Sequence, residues 1–293
     1  MTTGRTAALG RIGIWASELR TAAPDGAAQA AQQLEALGFG ALWVPGGLEG
    51  KLPERMSHLL AATSTVTLAT GILNIWKDRA GDVGSWFNGL PSRDQARVFL
   101  GFGVSHGPVI GADYSRPIAT MAAYLDGLDA ADLPIHARCL AALGPKMLEL
   151  ARDRTAGAHP YLTTPEHTAQ ARATLGVTAV LAPEQGVILE TDPQAARATA
   201  ASALKIYLTL PNYVNSWRRL GFSDADFAGP SDRLLDALYA WGDMSAIKAR
   251  VDAHLAAGAN HVCLQVIGTG AARDRLPVAA WRTLAAVLLQ PSA

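Results

Sequence analysis

Three observations predict a (β/α)8 barrel. Eight short apolar runs recur along the chain, each followed by apolar residues at helical spacing, and a strict strand–helix rhythm implies parallel strands joined by crossovers. The length of 293 residues suits eight such units. No linker, charge block or low-complexity segment divides the chain, so it reads as one domain, with a doubly wound sheet as the other arrangement of the same rhythm.

The first strand is RIGIWA (Arg11–Ala16), and the helix from Pro24 to Leu37 stops at Gly38. The second is ALWVPGG (Ala41–Gly47), followed by a helix from about Pro53 to Ser64. VTLATGILNIW (Val66–Trp76) is the third, with Gly71 marking a bulge in a β-branched run. After a short helix capped by Ser92 comes the fourth, ARVFLGFGVSH (Ala96–His106), and a helix from Pro117 to Leu128.

The stretch Arg138–Thr164 then reads strand, turn, helix, strand. RCLAALG ends at Gly144, and Pro145 sits where a helix favours its first residue. The open N–H groups of Lys146 and Met147, beside a positive dipole end and one lysine, suit an anion such as a phosphate. GAHPYLT (Gly157–Thr163) is the sixth strand, and Pro165–Leu175 its helix. The seventh is placed at Gly186–Glu190, with Asp192 capping a long helical region interrupted at Leu210–Asp232. That interruption reads as a lid over the site, and it carries Tyr213. HVCLQVIG (His261–Gly268) and a helix over Pro277–Leu289 complete the set.

Composition excludes several functions. Equal numbers of basic and acidic residues, 25 each, give no positive field for nucleic acid or a membrane surface. Cys139 and Cys263 lie inside apolar runs without CxxC spacing, which argues against a disulfide framework or a cysteine zinc site. No apolar run reaches signal-peptide or membrane-span length, so a soluble cytoplasmic protein is expected. GxSxG, HExxH and Walker patterns are absent. GFGVSHG (Gly101–Gly107) has GxGxxxG spacing with Pro108 next, and suits a crowded strand end better than a dinucleotide fingerprint.

None of the seven histidines pairs at i, i+4, so no metal site is expected. His106 and His159 fall at strand carboxyl ends, the face where a barrel keeps its chemistry. His58, His167 and His254 read as surface helix residues, and His136 and His261 as structural. Glu184 and Glu190 flank the seventh strand with no opposed partner. Of the aromatics near strands, Trp15, Trp76 and Tyr161 suit the wall of an apolar pocket and Trp43 the core.

Together RIGIW, LEALGFGALWVP, TLATGILNIW, RVFLGFGVSH, YLDGLD, LAALGPKMLELA, GAHPYL, LPNYVNSWRRLGF and AGANHVCLQV resemble the luciferase-like monooxygenase superfamily, most closely its branch that uses the deazaflavin coenzyme F420. The resemblance spans nearly the whole chain. It implies a dimeric TIM barrel with the cofactor ring at the carboxyl ends of the strands, a bulged third strand with a non-proline cis peptide at Gly71–Ile72 backing the ring, and Asn74 at the ring edge. It places Val104, Ser105 and His106 beside ring and substrate, the turn Gly144, Pro145, Lys146 and Met147 at the phosphate-bearing tail, and His159 to Tyr161 as a further wall.

Many deazaflavin-dependent members end the second strand with an acidic residue and a histidine; here Gly46 and Gly47 stand there. Where several place a glutamate on the fourth strand, this chain has His106, which becomes the first choice of acid or base, with His159 and Tyr161 behind it. The resemblance thus implies an F420-dependent oxidoreductase acting on a small apolar organic substrate, with Trp15, Trp76 and Tyr213 around it. The rivals are an FMN-dependent monooxygenase and a non-enzymatic deazaflavin-binding protein.

Overall fold

A computed structural model describes residues 9–47, 50–268 and 276–290. Ten parallel strands make the sheet: β1 (Ile12–Trp15), β2 (Ala41–Val44), β3 (Thr67–Asn74), β4 (Val98–Gly103), β5 (Arg138–Leu140), β6 (Gly157–Ala158), β7 (Val180–Leu181), β8 (Glu184–Ile188), β9 (Tyr239–Trp241) and β10 (Val262–Val266). The order is β7-β6-β5-β4-β3-β2-β1-β10-β8-β9.

Its two sides meet in one stretch of chain. β7 and β8 are consecutive pieces of segment 180–188, broken at Pro183, which has no N–H for a ladder. On one side Val180, Ala182 and Glu184 donate to the carbonyls of Ala156, Ala158 and Pro160. On the other, Cys263 N–H donates to Pro183 O and β10 pairs with β8 from Cys263↔Glu184 to Val266↔Val187. A (β/α)8 barrel results, with eight strand positions and β9 added outside β8.

All eight anticipated strands are present, though most are shorter at their carboxyl ends, where the chain turns to line a cavity. Segment 180–188 begins earlier than its expected Gly186, because pairing extends on both sides of Pro183. β9 falls where the pattern read as continuing helix; pairing with β8 overrides the local helical spacing. Ser92 is the first residue of the short helix Ser92–Gln95, and Pro91 is its cap. Asp192 caps its helix as anticipated, accepting from Ala195 N–H at 2.7 Å.

Three packed regions follow from which way the side chains point. Trp43, Phe99, Cys139, Val180, Ala182 and Cys263 fill the barrel interior, with Trp15 at the top. A larger core lies between strands and helices. The third packs Leu204, Leu210, Tyr213 and Trp217 against Ile188 and Tyr239. The Leu210–Asp232 interruption is therefore two short helices, Pro211–Arg219 and Asp224–Ala228, seated on an apolar layer of their own.

Two histidines read as surface residues are buried. His254, fully inaccessible, donates through Nε2 to Gln185 Oε1 (3.0 Å) and accepts at Nδ1 from Thr168 Oγ1 (2.8 Å). His167 reaches Leu143 O at 3.0 Å. Helical spacing locates a face but not what covers it: both face the packing between helix Pro165–Leu175 and its neighbours. His261 is structural as expected, donating to Gly10 O (2.9 Å) and accepting from Trp43 Nε1 (3.0 Å). Among the described residues no helix is long and apolar enough to cross a membrane.

Burial pulls His254 down to about 3 and His261 down to about 4. Both lie below the unfolded value of about 6.5, so the unfolded chain takes up protons first. Stability should be full above about pH 6.5 and fall as pH drops toward the folded values. Urea unfolding at about pH 7 and about pH 5 should show a lower midpoint at the acid pH, smaller in His254→Gln; equal midpoints would contradict the linkage.

Candidate active site

The carboxyl ends of β1 to β6 open into a cavity of about 730 Å³, roofed by the segment 206–219. Its floor is the bulge in β3, where the pairing with β4 slips between Thr70 and Leu73 and the Gly71–Ile72 peptide is cis. Three groups hold this bulge. Trp15 Nε1 donates to Gly71 O (3.1 Å), Gly46 N–H donates to Ile72 O (3.0 Å), and the Ile72 side chain lies over Gly101 and Gly103.

Gly46 is required by proximity. A Cβ there would sit 2.2 Å from Ile72 O, a backbone atom that cannot swing away. At Gly47 a Cβ would fall 2.3 Å from Arg20 Nη1. At the end of β2 a side chain on Gly46 would thus strike backbone, and the space beside Gly47 holds the Arg20 guanidinium where the resemblance associates a histidine.

His106 leaves β4 through Ser105, whose φ of 57° places a non-glycine residue in the left-handed region, at a cost of about 1–3 kcal/mol. Trp76 Nε1 donates to Val104 O (2.8 Å) and steadies this exit. Trp76 is not in the cavity lining: β3 ends at Asn74, and the chain turns Trp76 toward the β4 loop. Asn74 lines the cavity, and its Oδ1 accepts from Trp76 N–H at 3.1 Å.

His106 Nδ1 lies 3.0 Å from Asn212 Oδ1, across 106 residues, joining the β4 loop to the roof. A carbonyl oxygen only accepts, so Nδ1 carries the proton and Nε2 keeps its lone pair. Burial pulls the His106 pKa below the usual histidine value, which keeps the ring neutral at neutral pH.

His159 lies under the bed. It stacks on Trp43 with centroids 4.1 Å apart, donates from Nδ1 to Ala182 O (2.7 Å), and points Nε2 at the Gly71 edge. Burial pulls its pKa down to about 4. Tyr161 forms part of an aromatic wall: Trp15, Tyr161, Tyr207 and Tyr213 follow one another with centroids 5.4, 5.6 and 5.0 Å apart. Its hydroxyl donates to Gln265 Oε1 (2.8 Å) and lies 3.2 Å from that of Tyr207.

At the other end, Gly144 to Met147 begin the helix Pro145–Arg154. Met147 N–H donates to Gly144 O (3.2 Å), because the first turn closes tightly, so only the Lys146 N–H keeps the open orientation expected of both. Arg219 adds a second cation, its Nη2 donating to Leu143 O at 3.1 Å.

The cavity therefore brings together Trp15, Gly71, Ile72, Asn74, Val104, Ser105, His106, Gly144 to Met147, His159, Tyr161 and Tyr213. Sequence reasoning missed Asn212, Tyr207, Gln265 and Arg219. Only the reading of Leu210–Asp232 as a lid pointed near Asn212 and Arg219. Among the described residues no cluster of three or more histidine, cysteine or acidic side chains could hold a metal.

Fold and cavity define a (β/α)8 barrel that opens at the carboxyl ends of its strands. The family model described as luciferase-like monooxygenase matches residues 6–132, which run from before β1 to the end of the helix after β4. No curated protein sequence matches the chain. Solved structures share the fold. An F420-dependent secondary alcohol dehydrogenase in complex with an F420-acetone adduct is 16% identical, with a TM-score of 0.69, over 92% of this chain and 98% of that one. The coenzyme F420 dependent tetrahydromethanopterin reductase from Methanopyrus kandleri is 14% identical, with a TM-score of 0.66, over 94% and 97%. The oxygenating constituent of 3,6-diketocamphane monooxygenase of Pseudomonas putida, in complex with FMN, is 12% identical, with a TM-score of 0.65, over 94% and 96%.

Gly46→Ala places a methyl against Ile72 O and should destabilise the fold by about 1–3 kcal/mol, an overpacking cost without a side chain to yield. Thermal unfolding checks this; a melting temperature equal to that of the parent would show that the contact is slack.

Proposed function

We propose that the chain is an oxidoreductase that uses coenzyme F420 to move a hydride to or from a small apolar organic substrate. The observation that carries the reading is the glycine-lined bed at Gly71–Ile72, in a cavity whose other end offers Lys146, Arg219 and a helix start. The residues fit a flat ring with an anionic tail. Gly46, Gly71 and Gly103 let the chain pack closely beneath the cavity, since a Cβ at each would strike Ile72 O, Trp15 Nε1 or Ile72 Cδ1, and the positive end would meet a phosphate. Two of the structural neighbours named above use F420, which supports the deazaflavin.

The cofactor, when bound, supplies or accepts the hydride; the protein supplies placement, electrostatics and exclusion of water. Gly71, Ile72 and Asn74 would carry the ring, and Gly144 to Met147 with Arg219 the tail. His106 handles the proton. Its Nδ1–H is committed to Asn212, and Nε2 is an acceptor without a partner among the described residues. It takes a proton from a substrate hydroxyl in oxidation, and returns it in reduction. Tyr161 directs its own proton to Gln265, so it orients and walls the site. The apolar lining of Ile72, Val104, Ile118 and Leu210 favours a substrate with little charge. The protein acts as a homodimer in the cytoplasm on this reading.

Titration of the purified protein with F420 and with FMN, followed by fluorescence quenching, tests the cofactor. Tight F420 and weak FMN binding is the expected result; the reverse would move the chain to the flavin monooxygenases. His106→Ala should lower turnover by about 10²–10⁴ while cofactor affinity changes little. Unchanged turnover would remove His106 from the proton transfer.

A further inference from the structure

One ionisable side chain inside the barrel has no part in the reading above. Glu184, at the start of β8, is 1% exposed. Its Oε2 accepts from Leu162 N–H at 3.1 Å, and its Oε1 has no partner among the described residues. The residue it holds is unusual. Leu162 has a φ of 52°, a left-handed conformation that a leucine does not adopt without outside restraint. It follows Tyr161 directly, so its backbone sets the direction in which Tyr161 enters the cavity. From the other side Trp217 Nε1, on the roof helix Pro211–Arg219, donates to Leu162 O at 3.1 Å.

We propose that Glu184 is a positioning residue for the site: by accepting the Leu162 N–H from inside the barrel, it holds the left-handed turn that presents Tyr161 to the cavity and seats the roof through Trp217. The proposal rests on the cofactor reading for its consequence in binding, and on geometry alone for its structural part.

The alternatives for this carboxyl are weaker. It lies outside the cavity lining, so it touches no ligand there. No charged partner makes it half of an ion pair among the described residues. Burial among Tyr161, Tyr213, Tyr239 and Cys263 pushes it up to about 8, so at neutral pH it is an uncharged acid whose carbonyl oxygen can accept from Leu162. A glutamine reproduces that acceptor at nearly the same volume. A methionine keeps the volume and removes the acceptor, leaving a buried N–H unsatisfied.

Hydrogen–deuterium exchange on the cofactor-free protein separates the possibilities. In E184M, exchange of the segment 161–163 should rise about tenfold or more, as expected when a buried N–H loses its only acceptor. E184Q should stay within about twofold of the parent, because the amide oxygen supplies the same acceptor to the Leu162 N–H. Fluorescence titration with F420 and FMN should follow the same order, with affinity about tenfold weaker in E184M and close to that of the parent in E184Q.

Equal exchange in E184M and the parent would overturn the proposal, as would loss of protection in E184Q. Where E184M does not fold, E184D draws the carboxyl back by one methylene, and unchanged protection in E184D is then the overturning result. If the parent binds neither cofactor, the cofactor reading fails, and the exchange comparison alone decides the role of Glu184.

Discussion

The structure depends on the closure of the barrel through segment 180–188. A parallel sheet leaves backbone donors and acceptors open at both edges, and here one stretch satisfies both, toward Ala156–Pro160 on one side and β10 on the other. Pro183 lies at the handover, where the missing N–H costs nothing because its carbonyl serves Cys263 instead. Once the ring is closed, side chains on alternate positions point inward, and Trp43, Phe99, Ala182 and Cys263 stack into a dry interior. The site is built on top of that plug.

Dryness explains the electrostatics. His159, His254 and His261 are each held neutral by burial, and each spends its ring N–H or lone pair on a fixed partner. Glu184 is held neutral by the same penalty acting on the opposite charge. The interior therefore contains several ionisable groups and little charge, which leaves the cations near the Gly144 turn, Lys146 and Arg219, as the cavity's positive end. On the function proposed above, that apolar body with one positive end would take a flat ring carrying an anionic tail.

Much of this was legible in the residues. The rhythm of apolar runs and helical spacing marked all eight strand positions, because binary pattern and turn chemistry are local properties. Gly71 stood out as a glycine inside a β-branched run, Gly144 as the turn before a helix start, and His106 and Tyr161 by falling where strands were expected to end. The motif likeness anticipated the cis peptide at Gly71–Ile72. Trp76 misled, since an aromatic just past a strand end can turn to either side, and here a hydrogen bond to Val104 O turns it away. His167 and His254 misled for a related reason: a helix face reads as exposed until its neighbour is known.

By itself the sequence determined the strand–helix register, the glycines that let backbone pass close to backbone, and the residue types available at each strand end. These follow from the preferences of a residue and its near neighbours along the chain. Only tertiary structure decided that Asn212 meets His106 across 106 residues, that Arg20 fills the space beside Gly47, and that Glu184 and Trp217 hold Leu162 from opposite sides. Such pairs join segments remote in sequence, and what brings them together is the closure of the barrel and the packing of the roof, which no local spacing encodes.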